Sequence, residues 1–179
     1  MKKTILILSL LAAPAFADIT NYKKEDVVWL SGTLGQTSIN NNKALNVNFD
    51  LGYDFNENFA LYTGLGSIRN SNSSNINYAE FGMKYTYHIN DSWKVHSTLA
   101  GTSTLSNKAS GIIQPKLGLG FGYKITPRFE THLTFNHLAN LGLSKNLKKD
   151  ANQITWGLTY YFGRPKIATR NIQQIKIYK

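Results

Sequence analysis

From Ala44 to Phe55 every second residue is apolar. Leu45, Val47, Phe49, Leu51, Tyr53 and Phe55 alternate with Asn46, Asn48, Asp50, Gly52 and Asp54. Only a strand, with its two-residue side-chain period, puts such a set on one face. The pattern recurs at Asn152–Phe162, where Ile154, Trp156, Leu158, Tyr160 and Phe162 are the apolar set. It recurs again at Ile113–Ile125, where Leu117, Leu119, Phe121, Tyr123 and Ile125 alternate with Lys116, Gly118, Gly120, Gly122 and Lys124. Weaker copies run at Val28–Gln36, Phe59–Ser67, Asn77–Ile89, Trp93–Leu105 and Phe129–Leu138. Together they predict eight strands of about ten residues each, the length that crosses an outer membrane at a tilt.

The connections alternate as well. Asn56-Glu57-Asn58, Asn90-Asp91-Ser92 and Thr126-Pro127-Arg128 read as tight turns, while Ile39–Lys43, Arg69–Ile76, Ser106–Gly111 and Asn140–Ala151 read as longer polar links. Short turns at one end and longer loops at the other are the mark of a transmembrane β-barrel, and an even strand count returns both chain ends to the periplasmic side. The expected fold class is therefore all-β: an eight-stranded antiparallel up-and-down transmembrane β-barrel spanning residues 18–163.

The flanks fit export. Met1-Lys2-Lys3, the apolar run Thr4–Leu11 and Ala15-Phe16-Ala17 predict a signal peptide over residues 1–17, cleaved after Ala17. The apolar run is too short for a transmembrane helix, which needs roughly 20 residues. With no cysteine, the chain has neither a disulfide framework nor a thiolate metal site. The formal charge of +10 falls to +8 once Lys2 and Lys3 leave. Residues 164–179 form a basic tail with Arg164, Lys166, Arg170, Lys176 and Lys179 and no acid, expected in the periplasm.

Alternation alone does not say which face meets water. A lipocalin-like soluble barrel turns its apolar face inward; a membrane barrel turns it outward. Three features favour the membrane. The polar face carries Gly52, Gly64, Gly66, Gly82, Gly118, Gly120 and Gly122, which suit a narrow filled lumen and would only weaken a solvent-facing strand. Aromatics gather at the turn ends, as at a membrane interface: Tyr53, Phe55, Phe59, Tyr85, Tyr87, Trp93, Tyr123, Phe129, Tyr160 and Phe162. The polar-face charges balance, with Asp50, Asp54, Glu80 and Glu130 against Lys84, Lys94, Lys116 and Lys124, as expected of a closed lumen in which buried charges pair.

The stretch Gln114-Pro115 to Gly122-Tyr123-Lys124-Ile125-Thr126-Pro127, the turn segment Tyr87–Trp93 and the ending Trp156–Gly163 resemble the OmpA-type transmembrane domain in order and spacing, over Asp26–Gly163. The resemblance implies an outer-membrane barrel, here without the peptidoglycan-binding domain of the larger members. The family's lumenal Glu–Arg pair does not carry over, because Gly122 and His132 stand at those positions. Thr155–Phe162 also resembles the signal read by the outer-membrane assembly machinery, which assigns Gly157, Tyr160 and Phe162 to assembly.

Site chemistry is sparse. His88, His96 and His132 have inward parity and read as hydrogen-bonded filler rather than as a metal or proton site. His137 has outward parity. His137-Leu138-Ala139-Asn140-Leu141-Gly142-Leu143 resembles the H-x-S-N-x-G-L motif of PagL-type lipid A deacylases, with Ala139 where the nucleophilic serine stands and Asp150 nearest the expected position of the acid. Such chemistry needs a hydroxyl beside the base. The expectation is accordingly no enzyme, no cofactor and no metal, with His137 and Asp150 the residues of a runner-up esterase.

The longer links carry Lys43, Arg69, Lys108, Lys145, Lys148 and Lys149 against Asp150. Lys145, Lys148 and Lys149 are the expected contacts to lipopolysaccharide phosphate. The partners expected are outer-membrane lipid, lipopolysaccharide, the assembly machinery and a host surface ligand. Nucleic acid is excluded by the split of basic residues between the two membrane faces. The barrel is expected to be a monomer that serves envelope integrity, with adhesion through its basic loops.

Overall fold

The computed structural model describes residues 27–39, 42–69, 75–105, 113–144 and 147–162, with the side chains of 140–149 left out. The expected signal peptide, the basic tail, Lys108 and Lys145 lie outside the described residues, as do the side chains of Lys148 and Lys149.

Eight strands follow one another: β1 (Val27–Ile39), β2 (Asn42–Asp54), β3 (Phe59–Arg69), β4 (Ile76–His88), β5 (Trp93–Thr104), β6 (Ile113–Lys124), β7 (Phe129–Ser144) and β8 (Leu147–Tyr161). Each pairs antiparallel with its sequence neighbours, and β1 pairs with β8 to close the barrel. Closure leaves no sheet edge, as spanning a bilayer with strands requires.

The three tight turns use one device. The Asn56 side-chain oxygen accepts from the backbone N–H groups of Asn58 and Phe59 at 2.9 and 2.7 Å. Asn90 does the same for Ser92 and Trp93 at 2.9 and 2.8 Å. The Thr126 hydroxyl takes Arg128 and Phe129 at 3.3 and 3.0 Å. Short polar side chains that bond the backbone two and three residues on are what make Asn and Thr turn formers.

The apolar face points outward. Phe49, Leu65, Phe81 and Phe121 are 61–62% exposed, while Asn46, Glu80, Lys116 and Gln153 inside are at most 5% exposed. This inversion excludes the lipocalin-like arrangement, because so broad an apolar surface is tolerated only against lipid. At the turn end the rings touch in a belt: Phe55–Phe59, Phe59–Tyr85, Trp93–Tyr123, Phe129–Tyr160 and Tyr160–Phe162 have centroids 4.8–6.2 Å apart.

The strands run 11 to 16 residues rather than about ten. The largest difference from the sequence expectation is at Asn140–Ala151. It is not an open loop: β7 and β8 continue past the apolar band, with register shifts at Leu138/Leu141 and Gly142/Ser144. A ladder beyond the lipid needs only backbone hydrogen bonds, so the polar run Lys148-Lys149-Asp150 sustains it opposite Leu141-Gly142-Leu143-Ser144. Ile39–Lys43 shortens likewise, since β1 ends at Ile39 and β2 begins at Asn42.

Candidate functional site

The lumen is filled by side chains set on glycines. Across each ladder a ring faces a residue with no side chain: Trp29 opposite Gly52, Tyr78 opposite Gly66, His96 opposite Gly120 and His132 opposite Gly157. A Cβ on Gly52 would run into the Trp29 ring, and one on Gly66 into the Tyr78 ring. The inward glycines therefore mark where a neighbouring strand sends a ring across a lumen only wide enough for side chains.

Two charge clusters occupy this space. In the middle of the barrel Lys116 Nζ donates to both carboxylate oxygens of Glu80, at 3.0 and 2.7 Å. Asn48 Nδ2 donates to Asp50 at 2.7 Å and to Glu80 at 3.4 Å, joining the second acid to the first. Nearer the turn end, Lys94 and Glu130 form a buried ion pair. Tyr161 ties the pair together, donating its hydroxyl to Glu130 at 2.7 Å and accepting from Lys94 at 2.9 Å.

Trp29 takes up a further acid and a further base. Its Nε1–H donates to Asp54 at 2.8 Å, and Lys84 Nζ stands 3.9 Å over its ring. Lys84 thus meets a ring where the sequence suggested a carboxylate; a cation over an indole face is held by the ring quadrupole. Lys124 stands half-buried at the turn end of β6, opposite Glu130 in the register.

The histidines divide. His96 is buried with Nε2 3.0 Å from the Thr134 hydroxyl. His132 lies edge-on to it at 5.9 Å, its Nδ1 3.4 Å from Thr159. His88 has inward parity but lies past the end of the packed lumen, exposed, with a ring nitrogen 3.2 Å from the Glu57 carbonyl. Among the described residues no group of three histidines or acids is placed to hold a metal.

A cavity of about 60 Å³ remains among these lumenal side chains. That is room for a few water molecules, against the ~300 Å³ or more of a usual small-molecule site. Apolar groups crowd both ends. Ala44, Ile68, Tyr78, Leu138 and Ala151 cluster toward the end of the longer links, and Trp29, Ala60, Tyr62 and Ala100 cluster toward the turns.

Sequence reading missed the aromatic contribution to the lumen: Trp29, Tyr62, Tyr78 and Tyr161, together with the bridging Asn48. Parity on their strands was the available signal, and the glycine facing each of Trp29 and Tyr78 was the sharper one.

Outside the barrel, His137 Nδ1 is 2.8 Å from Asn152 Oδ1. The partner of the imidazole is thus Asn152, not Asp150, because the register sets His137 directly across from Asn152. Asp150 is exposed and lies beside the register shift between Leu138 and Leu141. Ala139, where the motif calls for serine, has no hydroxyl. Gly157 lies under the His132 ring, while Tyr160 and Phe162 belong to the outer aromatic belt.

Among solved structures the chain is similar to the N-terminal β-barrel domain of Pseudomonas aeruginosa OprF, at 11% identity and a TM-score of 0.60, covering 78% of this chain and 100% of that one. It is similar to the outer membrane enzyme PagL at 13% identity and a TM-score of 0.57, covering 76% and 99%. It is similar to Ail, the attachment invasion locus protein of Yersinia pestis, at 14% identity and a TM-score of 0.50, covering 79% and 100%. At these identities the likeness is one of fold. No curated protein matches the sequence. The family model for the outer membrane protein β-barrel domain matches residues 4–162. A closed eight-stranded barrel, apolar outside and charge-paired within, matched along nearly its whole length by that model, belongs to the outer membrane protein β-barrel family.

Proposed function

We propose that this protein is a non-enzymatic outer-membrane barrel that supports envelope integrity, with its basic link end turned outward toward lipopolysaccharide and acidic surface ligands. The observation that carries this reading is the filled lumen. Glu80–Lys116 and Lys94–Glu130 occupy the interior, leaving the lipid-facing wall and the two rims as working surfaces. Lys43 and Arg69 are exposed at the link end. Lys148 and Lys149 belong to the link-end extension of β8, and with Lys145 they would meet the phosphate-rich outer leaflet. Adhesion follows from the same charge, and a fold neighbour is named for attachment. Planar-bilayer recording tests the lumen: the expected result is no stable open channel, and a large steady conductance would overturn the reading. Deleting the gene should sensitise cells to detergent and to bulky antibiotics.

A second reading is a lipid A esterase, favoured by the outward His137–Asn152 pair and by the PagL fold neighbour. Ala139 argues against it, because no hydroxyl stands at the nucleophile position. Mass spectrometry of lipid A with and without the gene separates the two: loss of an acyl chain that depends on this protein would establish the esterase.

A further inference from the structure

The outer wall carries one row of residues whose polarity is graded along its length. Leu117 on β6 faces His137 on β7, His137 faces Asn152 on β8, Asn152 faces Ser38 on β1, and Ser38 faces Lys43 on β2. All five have outward parity. The row begins apolar, passes through an imidazole, an amide and a hydroxyl, and ends on an exposed ammonium.

The row also climbs. Strands in a barrel tilt by roughly 35–45°, so a row perpendicular to them rises toward one end. Leu117 sits seven positions from Lys124, at the turn end of β6, while Lys43 sits eleven positions from Asp54, at the turn end of β2. Four strand-to-strand steps at about 4.8 Å span roughly 19 Å, and the ammonium end stands farthest from the turns. Beside the row, Phe135 and Ile154 extend its apolar end at 49% and 57% exposure.

We propose that this row is a lateral binding site for one phosphorylated, acylated lipid of the leaflet at the link end. The acyl chain lies along Leu117, Phe135 and Ile154. The polar linkage region meets His137, Asn152 and Ser38. The phosphate meets Lys43. The His137–Asn152 bond orients the dyad: with Nδ1–H donated to Asn152 Oδ1, His137 Nε2 accepts from a ligand hydroxyl or amide, and Asn152 Nδ2 donates to a ligand carbonyl. Complementarity in order and in charge identifies the occupant, since an anionic amphiphile offers the same sequence of groups in the same direction.

The site takes the proposed lipid contact from the loops to the wall and rests on that reading only for membrane placement. The test uses the full chain in phosphatidylcholine nanodiscs doped with bisphosphorylated lipid A, read by native mass spectrometry for retained lipid. One lipid A should stay bound. Lys43→Gln should weaken retention about fivefold, the worth of one cation near an anionic surface. Asn152→Leu should weaken it further, and dephosphorylated lipid A should bind the native chain and Lys43→Gln alike. Heat-dependent gel mobility confirms folding of each variant, and all altered side chains lie outside the lumen. Inorganic phosphate should not compete; full displacement by it would show a free-anion site and overturn the proposal. A variant with Lys145, Lys148 and Lys149 changed to Glu separates the two lipid contacts. If it loses the lipid while Lys43→Gln and Asn152→Leu keep it, the wall site is wrong and the loop contact stands. If only the wall variants lose it, the wall site stands and the loop contact falls.

Discussion

Lys116 Nζ on β6 reaches past β5, inside the lumen, to both carboxylate oxygens of Glu80 on β4, at 3.0 and 2.7 Å. The two residues are 36 positions apart and both are at most 5% exposed. The pair ties β4 to β6 inside the barrel, past the intervening β5, and removing one partner would strand the other. Glu80→Ala should cost on the order of 3–5 kcal/mol, whereas Glu80→Leu combined with Lys116→Leu should recover most of it. Urea unfolding in detergent micelles measures both; equal losses would show that the pair itself is not the source.

Gly66 leaves the space that the Tyr78 ring fills. Gly66→Leu should prevent the compact fold, because a side chain there drives the ring against its neighbours, and overpacking of this kind costs about 1–3 kcal/mol or more. Adding Tyr78→Ala should restore folding. The assay is the mobility difference between boiled and unboiled protein, and a normal shift for Gly66→Leu alone would refute the ring-on-glycine account.

Tyr161 bonds both members of the Lys94–Glu130 pair. Tyr161→Phe keeps the ring and deletes both bonds, so stability should drop by about 1–3 kcal/mol. No loss would mean that lumenal water replaces the hydroxyl.

The proposed function has Lys145, Lys148 and Lys149 act on lipid. Converting Lys145, Lys148 and Lys149 to Glu should lower barrel stability in lipopolysaccharide-containing bilayers by about 1 kcal/mol or more per lysine. It should have little effect in zwitterionic detergent. Equal destabilisation in both media would place their partners inside the protein.

Phe162 lies on the outer aromatic belt, T-shaped against Tyr160 at 5.1 Å. Phe162→Ala should slow assembly into the outer membrane in cells while leaving the folded barrel's denaturant midpoint nearly unchanged. A large midpoint shift would make the ring a structural residue rather than a recognition one.

The alternation at Ala44–Phe55 and Asn152–Phe162 determined the strands and which residues share a face. The spacing of Asn56, Asn90 and Thr126 determined the turns, because period two and turn chemistry are local properties. Tertiary structure decided what depends on register. Val47 and Asn48 are adjacent in sequence, yet only the packed barrel tells that Asn48 links Asp50 to Glu80. Lys84 was legible as inward, but its partner, the Trp29 ring, is set by the stagger between β1 and β4 across β2 and β3. The identity of the partner of His137 follows from the β7–β8 pairing, which places Asn152 and not Asp150 across from it. The extension of β7 and β8 past Leu138 was invisible for a related reason: outside the lipid a ladder is held by backbone bonds, and these leave no mark on side-chain periodicity. Sequence therefore determined the faces, since each residue carries its own parity. The meeting of residues was decided by barrel closure, which fixes the tilt and stagger of all eight strands together.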